Sequence, residues 1–228
     1  MGSLLKQIIN NEAKITGIEH PLPLFHDYLK QGYYPFRHEN EIDIRLGQII
    51  VQTLETDIPQ YANLNVGTSR KLKRLLSIIA ESVPFKPNFS KISEMINVSR
   101  NSLDDYFSYI EKAGLISQLR DQTNGIRGLG KVDKVYLNNT NIIHNLVGEN
   151  ANLGNIRETF FLNQMSVNNE IISSNTADFV IDDYTFEVCG RNKKQHQLSK
   201  DGRSFVIKDD IEYGYLNVIP LWAFGLNY

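Results

Sequence analysis

The stretch that most constrains this chain is residues 176–194, TADFVIDDYTFEVCGRNKK. Two apolar, β-rich runs flank Asp182-Asp183. With those two residues as the turn of a hairpin, the pairing follows: Ile181 faces Tyr184, Val180 faces Thr185, Phe179 faces Phe186, Asp178 faces Glu187 and Ala177 faces Val188. Alternation then sorts the side chains. Ala177, Phe179, Ile181, Tyr184, Phe186 and Val188 share a core face; Asp178, Val180, Thr185, Glu187 and Cys189 share the other. Two carboxylates thus stand opposite each other, Cβ atoms roughly 5 Å apart. Like charges so placed repel. A bound divalent cation with oxygen ligands relieves the repulsion; a neighbouring Lys or Arg is the alternative.

At 228 residues the chain has length for one or two domains with a real core. Its single cysteine excludes an intrachain disulfide and fits a reducing compartment, so a cytoplasmic location is expected. No apolar run is long enough to span a membrane, and the N-terminus lacks a signal-peptide pattern, so no membrane partner is expected. Net charge is −2 but uneven: residues 66–134 carry 12 Lys and Arg against 7 Asp and Glu. A basic middle points to an anionic partner; a solvated basic face is the bland alternative.

Up to residue 66 the chain reads as helices. Leu24, Phe25, Tyr28 and Leu29 have helical spacing, closed by Gly32. Ile42, Leu46, Ile49, Ile50 and Leu54 mark a second helix, stopped near Pro59. From Thr68 to Ser82 an amphipathic helix sets Leu72, Leu75, Leu76 and Ile79 against Arg70, Lys71, Lys73 and Arg74. A short helix around Ile92, Met95 and Ile96 follows. After the turn Asn97-Val98-Ser99 comes a longer helix with Leu103, Tyr106, Phe107 and Ile110 on one face and Ser99 as its N-cap. Two strands then enclose a Gly-rich basic tip, residues 123–131.

That order is the winged variant of helix-turn-helix. Its recognition turn would offer Arg100, Asn101 and Ser102 to DNA, the wing would offer Arg120, Arg127 and Lys131 to phosphates, and Arg70 and Lys71 join them as nucleic-acid-binding candidates. Asp104 and Asp105 oppose this reading, and such modules also dock proteins. Gly125 to Lys131 has the spacing of a phosphate-binding loop. Val132 follows where a Ser or Thr is needed, and no helix begins there, so no nucleotide site is expected. Beyond it, a helix around residues 155–165 carries Glu158, strands follow at Ile171-Ile172 and 205–207, and the apolar tail carries Trp222, Phe224 and Tyr228. The five histidines show no metal-ligand spacing.

A Glu-bearing helix, then Asp178, then Glu187 nine residues later, resembles the PD-(D/E)xK nuclease superfamily. More broadly, Pro35, Asp57-Ile58-Pro59, the helix-turn-helix, Gly154 with Arg157-Glu158-Thr159-Phe160, Ala177-Asp178-Phe179, Phe186-Glu187-Val188 and Ile219-Pro220-Leu221-Trp222 together resemble the C-terminal half of predicted prokaryotic AAA+ ATPases. The resemblance implies an α+β chain in three parts. Residues 1–66 form a helical lid-like bundle, residues 67–140 a winged helix, and residues 141–228 a restriction-endonuclease-like α/β domain with a mixed sheet. It implies Mg²⁺ as the cofactor, held by Glu158, Asp178 and Glu187. ATP would belong only to an ATPase domain absent from this chain. Cys189 stands where the nuclease lysine belongs, so Lys193 or Lys194 would have to reach in from the next element. The expectation is therefore a degenerate site, Glu158, Asp178, Glu187 and Lys193, in a nucleic-acid-binding module without catalysis of its own. Partners would be DNA and the AAA+ domain. The rivals are a protein-interaction or homo-oligomerisation module and an active Mg²⁺-dependent nuclease.

Overall fold

The computed structural model describes residues 18–81, 84, 86–122, 130–191 and 203–226. The architecture is mixed α+β. Two compact units make it up. One comprises Met1–Leu29, Leu119–Lys131 and Asn152–Tyr228; the other comprises Lys30–Gln118 and Val132–Ala151. The three-part division expected at residues 67 and 141 does not coincide with these units.

The second unit is mainly helical. Helix α1 (Pro21–Gln31) leads into it, and α2 (Ile42–Gln52) follows. Gly32 must be glycine: its φ is +69°, and an added Cβ would lie 2.5 Å from the Asn141 amide nitrogen. After α2 the helix widens into a π turn, Thr53–Asp57, before α3, Ile58–Tyr61. Pro59 explains the widening. It has no N–H to give the Glu55 carbonyl. The Ile58 N–H instead reaches back five residues to Thr53, and the Ser69 hydroxyl meets the Glu55 carbonyl at 3.5 Å.

Helices α4 (Val66–Glu81), α5 (Phe89–Ile96) and α6 (Arg100–Lys112) come next, then strands β1 (Ile116–Arg120) and β2 (Val132–Leu137), which lie side by side. Leu72, Leu75, Ile79, Leu103 and Ile110 form the apolar core of this unit, each 0% exposed. The α5–α6 turn is built by Asn97 in the left-handed region at φ +55° and by Ser99, whose hydroxyl accepts the Ser102 N–H. Helix α7 (Thr140–Val147) is capped by Asn139 and closes the unit.

In the first unit, helix α8 (Leu153–Ser166) packs on a sheet of β3 (Ile171–Ser173), β4 (Phe179–Ile181), β5 (Tyr184–Cys189), β6 (Ser204–Lys208) and β7 (Val218–Pro220), in that order. The first three strands form an antiparallel meander, while β5, β6 and β7 run parallel. Arg120, the last residue of β1, adds to β3 in parallel opposite Ile172. Phe161 of α8 is the centre of the core, 4.9 to 5.4 Å from the rings of Phe179, Phe186 and Phe224.

The first part of α1 also belongs to this unit. The Phe25 ring stands edge-on to Phe160 at 4.8 Å, and the Tyr28 hydroxyl accepts from the buried Gln164 amide. Expected lid and nuclease-like segments therefore share a core, because one apolar stripe of α1 finds its partner on α8.

Candidate functional site

The hairpin register holds where the ladder runs: Ile181 with Tyr184, Val180 with Thr185, Phe179 with Phe186. Phe179 and Phe186 are both 0% exposed, on the face that α8 covers. Asp182 takes a φ of +52° to make the turn. The ladder stops one pair short of the acids. Asp178 donates its N–H to the Phe186 carbonyl at 3.1 Å, and its carboxylate accepts the Val188 N–H at 2.9 Å. Expecting Asp178 directly opposite Glu187 thus needs correction: the Asp178 side chain replaces a main-chain acceptor, and ladder pairing ends there. This contact relieves part of the charge repulsion with a fixed dipole.

Glu187 pairs in register with Val206, and Cys189 with Lys208, on the neighbouring parallel strand. Their side chains share the face away from α8. There Cys189, Val206 and Val218 form a small apolar cluster with Ile211 against it. Cys189 is buried, as a small apolar residue would be. Glu158 is half-buried on α8. Lys193 and Lys194 lie outside the described residues.

A divalent cation such as Mg²⁺ needs its oxygen ligands gathered around one point. Among the described residues, one trio of possible ligands has all its donor atoms within 4.8 Å of one another, and it is His26, Asp209 and Asp210. Glu158, Asp178 and Glu187 do not gather in this way, and the Asp178 carboxylate already serves the backbone. As they stand, the three carboxylates do not converge on one cation.

The trio that does gather is tied internally. The Arg157 Nε donates to Asp209 at 2.7 Å, the Asp210 N–H donates to the other Asp209 oxygen at 2.9 Å, and His26 meets Asp210 at 3.1 Å. Gly190 leaves room for Arg157; an added Cβ there would lie 2.9 Å from the guanidinium. No local sequence signal marks this group, since 183 positions separate His26 from Asp209.

In the second unit, the nucleic-acid candidates fall into two sets. Arg100 lies over the Phe89 ring at 4.1 Å and pairs with Asp104 at 3.4 Å. Lys71 donates to the Asn97 carbonyl, Ser102 shares a hydrogen bond with Ser99, and Lys73 pairs with Glu55. Arg70, Arg74 and Asn101 are exposed and make no such contact among the described residues. Lys131, exposed and in the first unit, accepts the Asp121 N–H at its carbonyl and donates its own N–H to the Asp121 carboxylate. Gly130 beside it has no space for a side chain, because a Cβ would lie 1.6 Å from the Asp121 carbonyl oxygen. Arg127 lies outside the described residues, as does most of the expected wing tip.

Three helices followed by paired strands, and a mixed seven-stranded sheet in the order β2-β1-β3-β4-β5-β6-β7, define the protein as an α+β chain. The chain belongs to the family described as a domain of unknown function (DUF8612), whose model matches residues 22–153. That match runs from α1 to the first residue of α8, and strands β3 to β7 lie beyond it. No curated protein and no solved structure matches the chain. No helix among the described residues is long and apolar enough to cross a membrane.

Proposed function

We propose that this chain is a nucleic-acid-binding, nuclease-like C-terminal module of an AAA+ ATPase, without catalysis of its own. The observation that carries the reading is the order α4–α5–α6–β1–β2, with the left-handed Asn97 and the Ser99 cap opening α6. In a winged helix-turn-helix that opening meets the groove. The α8–β3–β4–β5 order with a parallel β6 supports the nuclease-like half, and Cys189 at the lysine position supports loss of catalysis.

Duplex and single-stranded DNA binding should be measured by anisotropy at several salt concentrations. Affinity is expected to fall steeply with salt, by roughly 0.9 log units per log unit of salt for each duplex phosphate contacted. Arg70→Ala should weaken binding and reduce that slope by about one. A protein-docking module is the second reading, favoured by Arg100 and Lys71 being held within the unit. Absence of binding even at low salt would overturn the nucleic-acid reading and leave the docking reading in front.

A cleavage assay with Mn²⁺ addresses the enzymatic rival. The wild-type chain should not cut, because the three acids are not gathered and position 189 supplies no cation. Metal-dependent cutting that vanishes in Asp178→Ala would overturn this and make Lys193 or Lys194 the first residue to mutate.

A further inference from the structure

The second unit holds a cavity of about 420 Å³, within the family match and away from the opening of α6. Its walls come from the π turn and α3 on one side and from the end of α6 on the other. The π turn contributes Thr53 and Asp57, α3 contributes Ile58 and Tyr61, and α6 contributes Tyr109 and Lys112. The volume is in the range of small-molecule sites, about 300–1,000 Å³. A π turn in a wall matters as well, because such widened turns recur where helices shape functional surfaces.

The charges are distinctive. Two residues before Asp57, Glu55 is paired with Lys73, and at the other end of α6 Arg100 is paired with Asp104. Asp57 and Lys112 make no ion pair, either with each other or with any other described residue. The cavity therefore carries one anion and one cation on separate elements, both exposed and neither in an ion pair among the described residues. The same lining includes an aliphatic side chain, Ile58, and two phenol rings, Tyr61 and Tyr109.

We propose that this cavity binds a free aromatic amino acid. The ligand's ammonium group pairs with Asp57 and its carboxylate with Lys112, two charge-assisted contacts. Its flat side group lies against Ile58 and the tyrosine rings. A ligand carrying both charges satisfies both walls. A nucleotide phosphate satisfies Lys112 only and brings negative charge to Asp57, so it is disfavoured. The assignment does not depend on whether this unit contacts nucleic acid.

The test uses the full chain and L-phenylalanine, with binding followed by calorimetry and by NMR. Phenethylamine and 3-phenylpropionate, which keep one charge each, serve as controls, and AMP serves as the phosphate probe. Asp57→Asn and Lys112→Gln are the variants. Both residues are exposed, so the fold is not at risk. L-phenylalanine should bind saturably with one site. Each single-charge control and each variant should bind about tenfold more weakly or worse, the loss of one charge-assisted contact. No binding at about 10 mM, ten times a millimolar Kd, would overturn the proposal. So would L-phenylalanine binding unchanged in both variants, or phenethylamine binding equally well. AMP binding that exceeds L-phenylalanine and strengthens in Asp57→Asn would assign the cavity to a phosphate ligand instead.

Discussion

Phe161→Ala is expected to cost about 3–5 kcal/mol, the range for removing a buried aromatic ring. Phe161 is 0% exposed, and its ring meets three others, one from each of β4, β5 and the short 3-10 helix Leu221–Leu226. Those neighbours cannot all collapse into the space, because two are fixed by a hydrogen-bonded ladder. Against a typical total of about 5–15 kcal/mol, the loss removes much of the unit's stability. Urea unfolding followed by fluorescence reads this directly, since Trp222 is the single tryptophan and lies in the same 3-10 helix. Phe161→Leu should cost less, because most of the apolar surface remains. A loss below about 1 kcal/mol for the alanine variant would show that α8 is not the helix around which this sheet packs.

Phe25→Ala is expected to weaken the sheet-bearing unit by a similar amount, again about 3–5 kcal/mol. The residue is far away in sequence, yet it is 6% exposed with its ring edge 4.8 Å from Phe160. Tyr28, a turn later, meets the same ring at 5.9 Å and accepts from Gln164. Hydrogen exchange provides the discriminating measurement. Protection should fall along α8 and the strands it covers. If it falls instead along α2 and α4 while α8 holds, then α1 belongs with the N-terminal helices, as a division at residue 66 supposes.

Much of the secondary structure was legible because its signals are local. The Asp182-Asp183 turn and the alternation around it determine which residues of β4 and β5 pair, and the phenylalanines are buried as that register demands. Helical spacing and the Ser99 cap mark α4 to α6 for the same reason. The position of Asp178 was not legible. Strand alternation counts residues, but the ladder ends when a carboxylate competes successfully for the Val188 N–H, and that competition depends on local geometry. The pockets and ion pairs were equally hidden. Asp57 and Lys112 share a cavity because a proline-induced π turn happens to face the end of α6.

The sequence by itself determined elements, caps, turn positions and the register of one hairpin, because each rests on residues a few positions apart. The tertiary structure alone decided three things. It put α1 in the core of the sheet-bearing unit. It gathered His26 with Asp209 and Asp210 while leaving the three expected metal ligands ungathered. It also left Asp57 and Lys112 without ion partners among the described residues. The physical reason is common to all three: an apolar stripe or a charged group specifies that it needs a partner, whereas which partner it finds depends on packing between segments that lie up to 184 positions apart.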